Sequence, residues 1–190
     1  TIASRVDYRT GGVRAALSAS ELYSVVPELA EIARVETEIL FSIFSENITS
    51  KHWIEAAKAV AKHVENGVSG VVVAHGTDTL GYSAAALSFA LQDLPVPVVF
   101  VASQRSADRP SSDAATNLVG AVKAAVSAPF AEVVIAMHET VSDTSTLFHR
   151  GTKARKCHTS RRDTFKSVNA LPIARLENDK LKMLTKSYRK

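Results

Sequence analysis

His75-Gly76-Thr77-Asp78-Thr79 stands between the apolar run Val71-Val72-Val73-Ala74 and a helical pattern that starts near Leu80. A short apolar run of this kind fits a buried parallel strand. The five residues therefore set hydroxyls, a carboxylate and a glycine where a strand ends and a helix begins. In α/β proteins ligands bind at that junction, outside the carboxyl ends of the strands, and the helix start offers backbone N–H groups to an anion. Asp78 can equally be a plain cap for the following helix. The geometry of the stretch alone leaves both readings open.

Outward from this point the chain alternates strand and helix. Residues 35–43 read as a strand. Trp53, Ala56, Ala57, Val60, Ala61 and Val64 then recur at helical spacing, with Thr49 or Ser50 to cap the helix and Gly67 to end it. After Val71–Ala74 comes a helix over 80–91 with Ala84, Leu87 and Leu91 on one face, and Pro95 and Pro97 precede a strand over 98–102. A helix over 113–127 follows, capped by Ser112 or Asp113, with Leu118, Val119, Val122 and Val126 facing inward. A strand over 133–137 comes next. Short strands separated by helices of this length predict an α/β fold, a parallel sheet flanked by helices with right-handed crossovers. Beyond Phe148 the alternation breaks. Glu177-Asn178-Asp179-Lys180 then marks a β-hairpin at the carboxy-terminal end, between 173–176 and 181–184.

In a parallel sheet every strand delivers its following loop to the same edge. Loops 44–47, 75–79, 103–112 and 138–143, all rich in hydroxyl, carboxylate or guanidinium groups, should converge at one rim.

Composition sets the outer bounds. The 190 residues are 46% hydrophobic and 22% charged, ordinary for a globular chain with one real core. No apolar stretch approaches the ~20 residues of a membrane helix, and Arg5, Asp7 and Arg9 interrupt any secretory signal pattern. Cys157 is the single cysteine, which excludes an intrachain disulfide and favours a reducing, cytoplasmic setting. The six histidines lack metal-ligand spacing, so no metal site is expected, and no glycine-rich phosphate loop is present. Net charge is +4, but residues 150–166 hold seven basic residues against Asp163, or +6, leaving −2 for the rest. Such a cluster can meet phosphate or carboxylate, or be a solvated loop with no partner.

With these residues in view, the chain resembles the bacterial-type L-asparaginase family. Within it, the likeness is to the D-subunit branch of the archaeal glutamyl-tRNA(Gln) amidotransferases. Thr1-Ile2-Ala3-Ser4 matches the tail of the family's opening motif, Asp7-Tyr8-Arg9-Thr10-Gly11 its flexible tyrosine loop, Ser45-Glu46-Asn47 its substrate-carboxylate loop, and His75 to Thr79 its second signature. Two longer runs point to the D-subunit branch. They are Ser103-Gln104-Arg105-Ser106 with Asp108-Arg109-Pro110-Ser111-Ser112-Asp113, and Arg155-Lys156 with His158-Thr159-Ser160-Arg161-Arg162-Asp163-Thr164-Phe165.

The resemblance implies that residues 1–190 form an asparaginase-like amino-terminal catalytic domain. An upstream barrel and a closing carboxy-terminal domain would lie outside the chain. It implies side-chain amide hydrolysis of asparagine or glutamine through a threonine ester. A hydroxyl is a weak nucleophile and needs an adjacent base. The family's usual nucleophile would lie just before Thr1, itself the second threonine of that motif and kept as a catalytic candidate. Residues 1–190 alone are then expected to be inactive. Thr77, Asp78 and Lys156 would activate the nucleophile, Asp78 also gripping the substrate α-amino group. A lysine acts as a base only where desolvation or a neighbouring cation such as Arg155 favours the free amine, whereas Asp78 favours the ammonium. Backbone N–H groups near Gly76 would hold the oxyanion. Ser45, with Glu46 beside it, would take the α-carboxylate, Tyr8 would position the attacking threonine, and Ser103 would line the substrate site. The resemblance further implies a partner, the amidotransferase's E subunit, which binds Glu-tRNA(Gln) and carries ATP and magnesium. It implies no cofactor in this chain, and a homodimer inside a heterotetramer.

Each candidate has a plainer counterpart. Lys156 is one of seven cations in its segment, Tyr8 an ordinary tyrosine, and Cys157 a small buried hydrophobe. Ser103 and Arg105 can simply tie the rim loop, and Arg109 can pair with Asp113. Three other functions compete: a self-sufficient asparaginase, a nucleic-acid module using residues 150–166, and an amino-terminal nucleophile at Thr1 as in plant-type asparaginases.

Overall fold

The computed structural model describes residues 26–190 and, before them, the backbone of residues 4–6 and 13–15. Those two short pieces, β1 (Ser4–Val6) and β2 (Val13–Ala15), pair antiparallel. Thr1 and Tyr8 lie outside the described residues. The main sheet contains β3 (Val71–Ala74), β4 (Val98–Val101), β5 (Val133–His138), β6 (Ser145–Arg150), β9 (Ala174–Glu177) and β10 (Lys180–Met183), in the order β10-β9-β6-β5-β4-β3. A separate ribbon joins β7 (Ala154–Lys156) to β8 (Phe165–Ser167). Among the described residues the helices are α1 (Leu29–Ile32), α2 (Ser50–Glu65), α3 (Leu80–Ala90) and α4 (Ala114–Ser127).

Strands β3, β4 and β5 run parallel, as their continuous apolar runs predict. The other half of the sheet is antiparallel: β6 reverses against β5, β9 against β6, and β10 against β9. The sheet is therefore mixed, and the hairpin expected around Glu177 forms its far edge.

Alternation along the strands divides the core into two layers. Val99, Val101, Val134, Ala136 and Phe148 face α4, where they meet Leu118, Ala121, Val122 and Ala125. Val98, Phe100, Val133, Ile135 and Met137 face α3 and α2, meeting Leu80, Ala84 and Leu87 on the first and Ala56 and Val60 on the second. Trp53 Nε1 donates to Ser83 Oγ (2.8 Å) and locks α2 against α3.

Helix ends follow the local chemistry. Thr49 caps α2 in a capping box completed by His52, whose Nδ1 accepts the Thr49 N–H at 3.0 Å. Gly67, at φ +81°, turns the chain out of that helix.

Three expectations are corrected. Residues 35–43 form no strand, and Ile39, Leu40 and Ile43 are exposed. Their alternation lacks a ladder partner, because the described sheet ends at β3. Val126 is 43% exposed, since the buried stripe of α4 runs through Leu118, Ala121, Val122 and Ala125 and leaves position 126 at its margin. Cys157 is exposed on the segment after β7, with Sγ 3.7 Å from the Arg155 carbonyl, and is no core hydrophobe.

Candidate active site

The loop after β3 begins where the ladder stops. His75 N–H still donates to the Val101 carbonyl (2.9 Å), as if in the parallel sheet, and the chain then turns into α3. His75 Nδ1 donates to the Gly76 carbonyl (2.7 Å), while burial holds the ring below the ordinary histidine range and favours its neutral form. Gly76 is required by contact: a Cβ there would sit 2.7 Å from both Cβ and Oγ of Ser45. The two loops are further joined by the Thr79 hydroxyl, which donates to the Ser45 carbonyl at 2.7 Å. Ser45 opens a 3-10 turn, Ser45–Asn47, and is buried, whereas Glu46 beside it is exposed.

Lys156 arrives from the other side. Helix α3 carries Gly81, where a side chain would lie 3.0 Å from the Ala154 carbonyl, so β7 passes close to the start of that helix. Ala154 and Phe165, the latter opposite Lys156 in the ribbon register, sink into the same core cluster as Leu80 and Ala84. These anchors on either side leave the lysine pointing along the rim.

Its ammonium donates to Thr77 Oγ1 at 2.8 Å and to Asp78 Oδ1 at 2.8 Å. The exposures divide the roles. Thr77 is 5% exposed and the Lys156 side chain 16%, but the Asp78 side chain is 66% exposed and open to a ligand from solvent. Among the described residues no side chain caps α3, whose N-cap is Thr79, so Asp78 is committed to Lys156 and not to the helix. Of seven cations in its segment, Lys156 is the one that reaches this pair. As acceptor from Lys156, the Thr77 hydroxyl keeps its own proton free for a third group. Hydroxyl, amine and carboxylate in a row can pass a proton in either direction.

Of the other sequence candidates, Ser45 adjoins this cluster through Gly76 and Thr79, and Glu46 follows it in the turn, exposed to solvent. Ser103 lies fully buried at the end of β4, and among the described residues its hydroxyl has no partner. Arg105 Nη1 donates to Ser111 Oγ (3.0 Å) and ties its own loop. Among the described residues no ion pair joins Arg109 to Asp113. The buried Asp113 carboxylate instead accepts the Gln104 and Arg105 N–H groups, each at 3.0 Å, and Asn117 Nδ2 at 3.1 Å.

Several rim-building residues escaped sequence reasoning. Arg162 donates to Asp143 Oδ1 (3.0 Å), to the Val141 carbonyl (3.3 Å) and to the Ser111 carbonyl, so it joins three loops. Gln104 Nε2 reaches the Arg161 carbonyl at 2.7 Å. Asn117 and His138 lie beneath them, far apart in sequence and without a spacing signal. Of the loops expected at one rim, 103–112 and 138–143 are joined through Arg162, and 44–47 and 75–79 through Thr79.

Known proteins resemble this chain in sequence and in overall fold. A family model described as asparaginase, N-terminal, matches residues 1–189. The chain belongs to the asparaginase family. Within that family, the glutamyl-tRNA(Gln) amidotransferase D subunit of Thermofilum pendens is 57% identical over 193 residues, covering 100% of this chain and 43% of the relative. The D subunit of Pyrococcus furiosus is 57% identical over 191 residues, again 100% and 43%. The chain thus spans less than half the length of the curated relatives it matches. Among solved asparaginase-family structures, the thermostable L-asparaginase from Thermococcus kodakarensis superposes with a TM-score of 0.83 at 30% identity, over 100% of this chain and 55% of that one. A probable cytoplasmic L-asparaginase from Campylobacter jejuni gives 0.86 at 26% identity, over 98% and 56%.

Proposed function

We propose that this domain hydrolyses the side-chain amide of glutamine or asparagine, and that the ammonia serves to convert Glu-tRNA(Gln) to Gln-tRNA(Gln) in an amidotransferase built of D and E subunits. The single observation that carries the chemistry is the Lys156 ammonium 2.8 Å from both Thr77 and Asp78.

In this reading a threonine hydroxyl of the opening motif attacks the amide carbon and forms a tetrahedral oxyanion. With Lys156 in its free-amine form, Thr77 relays the hydroxyl proton to Lys156 Nζ, and the ammonium so formed returns it to the departing nitrogen, which leaves as ammonia. Water, deprotonated by the same pair, then cleaves the threonine ester and releases the acid. Backbone N–H groups about Gly76 would stabilise the oxyanion, a contribution of roughly 3 kcal/mol per donor in comparable sites. Asp78 holds the α-amino group and Ser45 the α-carboxylate. Thr1 and Tyr8 belong to this reading as catalytic and positioning candidates, and Ser103 as a substrate-site residue. ATP and magnesium chemistry falls to the E subunit, in the cytoplasm.

The amidotransferase is preferred to a free-standing L-asparaginase because identity to the D-subunit relatives is 57%, against 30% to the Thermococcus kodakarensis asparaginase. A nucleic-acid module fares worse. Five of the seven cations of residues 150–166 are ion-paired within the domain: Arg150 with Glu132, Lys156 with Asp78, Arg161 and Lys166 with Asp163, and Arg162 with Asp143.

The test is ammonia release by the full-length protein with and without the E subunit and Glu-tRNA(Gln). Release that depends on both supports the proposal. Rapid hydrolysis by the full-length protein alone would replace it with the asparaginase reading, and no release under any condition would remove both.

A further inference from the structure

Beneath the rim, five side chains form one line of hydrogen bonds. The Asp113 carboxylate accepts Asn117 Nδ2 at 3.1 Å, and the same amide nitrogen donates to the Ala102 carbonyl at 3.0 Å. Both partners are pure acceptors, so the Asn117 amide has one orientation. Reversing it would press its oxygen against two others. Asn117 Oδ1 must then face His138, whose Nδ1 lies 2.5 Å away. On the other side of the ring, His138 Nε2 is 2.8 Å from Asp143 Oδ1. That oxygen also accepts Arg162 Nη1 at 3.0 Å.

His138 is 0% exposed, and both of its ring nitrogens meet acceptors. An imidazole with one N–H would leave one lone pair directly opposed to another, at separations of 2.5 Å and 2.8 Å that leave no room for an atom between. Asp143 is in turn held below the usual carboxylate range, chiefly by its hydrogen bond from His138 and further by the Arg162 charge. The carboxylate is therefore the acceptor in that pair. Among the described residues, the charged groups bonded to the ring or to its partners are Asp143 and Arg162 from the rim loops and Asp113 through Asn117. Its ladder neighbour on β6, Thr146, is neutral.

We infer that His138 is a positioning residue for the site, donating from both ring nitrogens to tie α4 to Asp143 and, through Arg162, to the turn that follows Lys156. Arg162 is six residues beyond Lys156 and also grips the Ser111 carbonyl, so loss of this tie frees two walls of the rim at once. The inference rests on the amidohydrolase reading only for its effect on turnover.

The test uses the full-length protein with 15N-labelled histidine, the His138 signal being assigned by its loss in His138→Asn. Two directly bonded N–H groups on His138 are expected from its two acceptor partners, and a bare ring nitrogen would overturn the inference. Asp143→Asn, at a half-exposed position where folding is not at stake, should accelerate amide exchange across residues 157–164. Unchanged exchange there would also overturn it. In the ammonia assay with the E subunit and Glu-tRNA(Gln), both variants should lower kcat by about tenfold or more with KM nearly constant. Wild-type kcat in both would show that the tie does not position the site. Two N–H groups on His138 and faster exchange in Asp143→Asn, with no ammonia released by the wild-type protein, would instead remove the function reading and leave the tie standing.

Discussion

A single methyl group at Gly76 tests whether the 75–79 loop and the Ser45 turn work as one binding surface. The added Cβ would lie 2.7 Å from Ser45 Cβ and Oγ, whereas carbon atoms in contact settle at about 3.5–4.0 Å, so relief needs roughly 1 Å of movement. Ser45 cannot simply rotate, because its Cβ is itself one of the clashing atoms. Its backbone is also held by the Thr79 hydroxyl and by the Ile48 N–H (3.1 Å). Overpacking of this kind costs about 1–3 kcal/mol, and the strained Thr79 bond adds about 1 kcal/mol. For a chain of this size Gly76→Ala should then lower Tm by roughly 5–12 °C. Displacing the substrate-carboxylate group by about 1 Å should reduce kcat/KM for ammonia release by about ten- to a hundredfold, mainly through KM. Pairing Gly76→Ala with Ser45→Gly separates the two effects. The double variant should regain most of the lost Tm but none of the lost affinity. A Gly76→Ala protein with wild-type Tm and KM would refute the close approach on which the reasoning stands.

Two predictions concern pH. The Arg161 side chain, hydrogen-bonded to Asp163, holds that carboxyl at about 2, so the pair stabilises the fold above the ordinary value of 3.8 and is lost as pH falls toward 2. Asp163→Asn should flatten urea-unfolding stability between pH 4 and pH 2, and a variant profile parallel to wild type there would contradict this. His149 is the opposite case. Burial, aided by the Lys166 charge, lowers it from 6.5 to about 4, so between those values the unfolded chain binds a proton that the folded chain refuses. Stability should fall by on the order of 3 kcal/mol over that interval as pH drops, and His149→Asn should lessen the fall. An equally steep profile in the variant would show that the loss arises elsewhere.

Much of the architecture was legible because periodicity reports burial directly. The apolar stripe of α2 and the short valine-rich runs of β3, β4 and β5 each admit one role. Residues 35–43 misled because alternation marks a strand's faces but not the existence of a neighbour to pair with. Val126 misled because bulk does not mark the buried face here: small alanines line much of the stripe that α4 presents to the sheet. Of the site, Thr77 and Asp78 could be read from their place between strand and helix. Lys156 could not be singled out from its cationic neighbours by position alone. Only the fold distinguishes it, through Gly81 and the buried anchors Ala154 and Phe165. The Asp113–Asn117–His138–Asp143–Arg162 line was invisible for the same reason: its members come from different elements, with no repeat or spacing to connect them.

The most direct measurement is the turnover of full-length protein carrying Lys156→Met, assembled with the E subunit and Glu-tRNA(Gln). Methionine keeps the length and the apolar stem but removes the amine that bridges Thr77 and Asp78. Ammonia release should fall by about a thousandfold or more while Tm stays within a few degrees. Turnover within a fewfold of wild type would mean that the lysine is only an ion-pair partner at the rim, and that the hydrolytic chemistry lies elsewhere.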